Sequence, residues 1–140
     1  MGLFDSLKGQ REVVLSPRAA MLLACISMVA ADGVIDDEEM DIIQRIDGKQ
    51  VTPDWNQAVQ AWKRLRGPSD CVDLVVPRLD EVQKMFTMAN LVDIAMADGV
   101  LAGSEQALLE EYVGAFGLDE EFVMKVVEVI GVKNDRGPFE

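Results

Sequence analysis

The tetrapeptide ADGV occurs twice, at residues 31–34 and 97–100, and its recurrence narrows the folds open to this chain. A shift of 66 residues lays Ala31, Asp32, Gly33 and Val34 on Ala97, Asp98, Gly99 and Val100, with Ile35 on Leu101 and Glu39 on Glu105. The flanks match as well. Ile26 and Met28 meet Val92 and Ile94, and Ile42, Ile43 and Ile46 meet Leu108, Leu109 and Tyr112. A segment repeated in both its loop and its apolar faces is expected to be one structural unit used twice. Two copies are too few for a solenoid, so the pattern predicts two helix–loop–helix units related by a pseudo-twofold axis.

The periodicity around the corners is helical, and no stretch alternates apolar and polar residues for the length of a strand. Ser16-Pro17 is an N-cap followed by proline at the first helical position, opening a very apolar helix to about Ala31. Asp36 is placed to cap a second helix, with Glu39 as its capping-box partner and Gly48 as its stop. Thr52-Pro53 opens a third, to about Arg66, with Trp55, Val59 and Trp62 on one side. Ser69 or Asp70 is placed to cap a short helix that Pro77 limits. Asp80 opens a long helix to about Ala97, the next ends near Gly117, and Asp119 opens the last, to about Ile130. With a short amphipathic helix at the N-terminus, the expectation is an all-α, compact bundle of about seven helices. It forms one domain over residues 1–140, with 1–15 as an N-terminal segment and 132–140 as a flexible tail. Neither apolar helix, 19–31 or 85–97, can hide its surface alone, so the two are expected to pack together in a shared core.

Composition removes several chemistries. The 25 acidic and 13 basic residues give a net charge of −12, which repels phosphate backbones and argues against nucleic acid as a partner. Histidine is absent, and with it the commonest general base and zinc ligand. Cys25 and Cys71 lie in apolar helical contexts without a CxxC spacing, and read as buried reduced thiols. The longest uncharged run, 19–31, is shorter than the ~20 residues a membrane span needs, and no signal peptide is recognised. The opening MGLFDSLKG fits the myristoylation pattern through Gly2 and Ser6. It also reads as a small helix carrying Leu3, Phe4 and Leu7, which could dock on the domain or touch a membrane surface.

The corner itself has two readings. Asp32 to Glu39 fits the second half of a calcium-binding EF-hand loop, where a glycine makes the turn and a glutamate closes the site. Asp98 to Glu105 fits it except at Ala102. The first half of the loop fails in both copies, because its ligand positions would be Met28 and Ala30, or Ile94 and Met96. An ordinary EF-hand is therefore rejected. A truncated oxygen site is left, with Asp32, Asp36, Glu39, Asp98 and Glu105 as candidate ligands for calcium, magnesium or manganese. The second reading is structural. Asp36 is a natural N-cap, Asp37, Glu38 and Glu39 favour a first helical turn, and Asp32-Gly33 is a turn dipeptide. Retention of Glu105 where Ala102-Gly103 has lost the cap chemistry weighs toward the cation.

Other residues are plainer. The methionines read as core filler. Lys63, Arg64 and Arg66 sit at a helix C-terminus, where cations are favoured. Asp93 falls either on a polar stripe with Thr87 and Asn90 or in an interhelical hydrogen bond.

The doubled ADG corners, each closed by a glutamate seven residues after its aspartate, resemble the TerB tellurite-resistance family, as does the opening MGLFDSLKG. The resemblance covers essentially the whole chain. It implies a helical domain with internal pseudo-symmetry in a bacterial cytoplasmic stress-response protein, working with a TerC-like membrane protein or TerD-like calcium binders, at the inner face of the membrane. It carries the family's acidic positions onto Asp32, Asp36, Glu39, Asp98 and Glu105, and it supplies no reaction. The functional expectation is a non-enzymatic protein that holds a divalent cation or docks on a membrane-associated partner. The alternative is a general helical adaptor whose acidic residues serve only as caps. Paired carboxylates without a nucleophile, phosphate loop or cofactor motif put an enzyme third, behind both of these.

Overall fold

The computed structural model describes residues 15–32, 42–43, 45–48, 52–97, 101, 103–135 and 137–139, and most of these residues are helical, with no strand among them. Six α-helices are described in full: α1 (Pro17–Val29), α2 (Pro53–Arg64), α3 (Pro68–Val75), α4 (Glu81–Ala95), α5 (Gly103–Phe116) and α6 (Glu120–Asn134). Ile42, Ile43, Arg45 and Ile46 are also helical. The expected caps at four starts are in place. Ser16 Oγ accepts from the Ala19 amide at 3.1 Å and Thr52 Oγ1 from the Trp55 amide at 3.1 Å. Asp80 and Gln83 form a reciprocal capping box, and Asp119 accepts from the Glu121 amide at 3.0 Å. Gly48 and Gly117 take the left-handed conformation, φ 76° and 65°, that lets a chain leave a helix sharply.

α1 is the centre of the bundle. Ten of its thirteen residues are buried, which requires neighbours on every side. It packs against α2, α3 and α4, while α5 lies against α3 and α4, and α6 against α4. The core is built around α1 by α2, α3, α4 and α5, with Leu22, Leu23, Met28, Met88, Leu91, Ile94 and Tyr112 almost fully out of water.

Several expectations need correction. α3 starts at Pro68 with Gly67 as its cap, and neither Ser69 nor Asp70 caps it. Ser69 donates instead to Glu111 of α5, and Asp70 accepts from the Arg66 amide at 3.0 Å, closing the preceding turn. On α2 the fully buried residues are Ala58 and Ala61, while Trp55, Val59 and Trp62 are only half-buried. Small side chains let α1 approach closely, and the indoles flank the contact. α6 continues past the expected end at Ile130 to Asn134, and Gly137–Phe139 form a 3-10 turn. The reason is tertiary. Asn134 Nδ2 donates to Asp93 Oδ1 at 3.1 Å and to the Met96 carbonyl at 3.0 Å, and Lys133 pairs with Asp93 at 3.1 Å. Asp93 thus belongs to an interhelical contact, and Thr87 is fully buried rather than on a polar stripe.

Candidate functional site

Of the five candidate ligands, Asp36, Glu39 and Asp98 lie outside the described residues. The expected capping box of Asp36 with Glu39 lies there too, as do Leu3, Phe4 and Leu7. Asp32 closes a 3-10 turn, Ala30–Asp32, that continues α1. Glu105 occupies the first turn of α5 and is 5% exposed, one of few buried charged residues among those described. The 3-10 turn ending in Asp32 packs against α5, the helix that carries Glu105. The end of the first corner helix therefore meets the helix that follows the second corner. A carboxylate at this depth has to be answered by hydrogen bonds, by an opposite charge or by a metal. Among the described residues no group of three or more carboxylates and cysteines is gathered closely enough to hold a metal ion.

Two polar clusters were not legible beforehand. The first is buried. Ser27 donates to the Ala24 carbonyl at 2.6 Å and shares a hydrogen bond with the Tyr112 hydroxyl at 2.8 Å. Tyr112 had the sequence signature of an apolar face position, matching Ile46, and only the neighbour across the bundle reveals its polar role. Cys25 and Cys71 are fully buried and free, as expected. Burial pushes the Cys25 thiol up to about 12. Burial, with Asp70 adding to it and a Ser27 hydrogen bond opposing it, pushes Cys71 to about 12 as well. Thiols this reluctant to ionise are poor nucleophiles and poor metal ligands, which fits their packing role.

The second cluster clasps the starts of α1 and α2. Arg18 donates to the Ile46 carbonyl at 3.0 Å and pairs with Asp47, a 6% exposed carboxylate, at 3.6 Å. Thr52 Oγ1 donates to Asp47 at 3.1 Å while capping α2. Ser16 Oγ donates to Asp54, and its amide to Gln57 at 3.0 Å. Thr52→Ala removes the cap and a partner of a buried carboxylate together. It should lower the unfolding free energy by about 1–2 kcal/mol, read as a lower urea midpoint.

Compared with known proteins, the chain matches no family model, no curated protein and no solved structure. Among the described residues the fold is an all-helical bundle, and no narrower class is defined.

Proposed function

We propose that this chain is a non-enzymatic, TerB-like stress-response protein of the tellurite-resistance type. In this reading its two acidic corners hold a divalent cation, calcium, magnesium or manganese, and the corner surface docks on a membrane-associated partner of the TerC or TerD kind. The observation that carries it is the buried Glu105 in a helix packed against the turn ending in Asp32. Among the described residues no helix is long and apolar enough to cross a membrane, so contact with such a partner would be peripheral.

The duplication belongs to the same proposal, as does a count of about seven helices. Its support is positional. α1 and α4 end at Val29 and Ala95, 66 positions apart, and α1 packs on α2 as α4 packs on α6. The left-handed Gly48 and Gly117 stand at comparable places before α2 and α6.

A second reading has its own observation. Four described helices open on Ser16, Thr52, Asp80 and Asp119, so a polar or acidic residue at a helix start is routinely a cap in this chain. On that reading the corners are caps and the protein is a helical interaction adaptor. Titration separates the two. With calcium or manganese at about ten times the dissociation constant, a single site adds ~1.4 kcal/mol and raises Tm by a few degrees. Asp32→Asn combined with Asp98→Asn should abolish the rise. No shift at millimolar metal assigns the protein to the adaptor reading.

A further inference from the structure

α4 and α6 pack side by side and run in the same direction. Their ends are tied, because Asn134 donates to Asp93 and to the Met96 carbonyl, and Lys133 pairs with Asp93. Their starts part around an open groove of about 490 Å³, beside the turn that joins α5 to α6. Met85, Phe116, Leu118 and Phe122 give the groove an apolar lining, and Glu81, Lys84 and Asp119 give it a polar edge. Val82 and Phe86 flank Met85 on α4 and are more than half exposed, so the apolar surface continues beyond the groove.

We propose that this groove docks a cationic amphipathic helix of a partner protein. Charge selects the partner. Glu81 and Asp119 edge the groove, Glu120 and Glu121 follow in the first turn of α6, and all four are exposed. Lys84 is the one cation among the lining residues. The whole chain carries a net charge of −12. Such a surface repels a second copy of this chain and an anionic bilayer, and it draws in a basic segment. Shape selects the helix. Two helices side by side leave a trough that takes the ridge of a third. The apolar face of an incoming helix fills the trough, and its Lys or Arg flanks meet the acidic edge. Met85 suits this contact, because an unbranched thioether repacks around different anchors. Glu105 and Phe116 stand near opposite ends of α5, roughly 16 Å apart along its axis. The groove is therefore a surface separate from the corners, and docking there does not rest on a cation at them or on the duplication.

The test titrates the full chain into a fluorescein-labelled peptide of about 18 leucines and lysines, with the leucines along one helical face. Fluorescence anisotropy should rise and saturate. Met85→Glu, at a position 37% exposed, should leave the circular dichroism unchanged and weaken binding by about tenfold or more. Ala107→Glu, the same change of charge at an exposed position toward the other end of α5, should leave binding as it was. Glu81→Gln should weaken binding and flatten its dependence on salt. The proposal is overturned by any of three results: no saturation at millimolar chain, equal binding of a peptide of the same composition with its leucines scattered, or full affinity in Met85→Glu. Self-association of the chain, or its binding to lipid vesicles, would also overturn it if Met85→Glu abolished either one. Metal titration reads none of these, so this inference and the cation reading fail separately.

Discussion

Raising the pH from 9 to 12 should destabilise this fold steeply, and the two thiols should account for much of the loss. Cys25 and Cys71 hold their protons to about 12 in the folded state, against an ordinary 9.0. Below pH 9 both states carry protonated thiols, and the buried pair is fully accommodated. Above pH 9 the unfolded chain gains by ionising its thiols while the folded chain cannot. Stability therefore falls through the window from 9 to 12, by about 1.4 kcal/mol per thiol per pH unit. Tyr112, whose hydroxyl is pushed up by burial and only partly relieved by Ser27, adds to the loss above its own usual range near 10. Over that window two thiols remove on the order of 8 kcal/mol, comparable to a global stability of ~5–15 kcal/mol. Urea midpoints at pH 8, 9, 10 and 11 would measure the slope. Cys25→Ala with Cys71→Ala should make that slope much shallower. An unchanged slope in the double variant would show that the thiols do not govern it.

The second large effect lies at the centre of the bundle. Leu22→Ala should cost about 2–5 kcal/mol, because Leu22 is fully buried on a helix enclosed by α2, α3 and α4. Neighbours held from three sides cannot collapse into the cavity, which places the expected loss toward the upper end of that range. Tm should drop by on the order of 10 °C. Val132→Ala, at a residue 77% exposed on α6, is the matched control and should stay within about 0.5 kcal/mol. A Leu22→Ala loss no larger than the Val132→Ala loss would mean that α1 is not the core helix.

The contrast between α1 and α6 also marks how far the sequence could be read. Both helices are rich in apolar residues, yet α1 is almost wholly buried and no residue of α6 is. Met124, Val129 and Val132 stay largely exposed because only α4 among the described helices lies against α6 to a comparable extent. Hydrophobicity gave the helices and left open how many sides each would cover. At the corner, the sequence picked out five acidic positions, and the structure speaks to two. The 3-10 turn that ends in Asp32 packs on α5, the helix that carries Glu105, and this is a contact between segments far apart in the chain.

What the sequence determined by itself was local. The caps at Ser16, Thr52, Asp80 and Asp119 each close a hydrogen bond within three residues, so the signal and the structure it produces occupy the same short window. Only the tertiary structure decided the rest. It seated Ala58 and Ala61 inside while Trp55 and Trp62 flank them, joined Tyr112 to Ser27, extended α6 to Asn134 through Asp93, and turned Ser69 to Glu111 rather than to capping α3. Each of these depends on a partner many residues away or on the space between helices, and neither is written into the spacing of neighbouring residues.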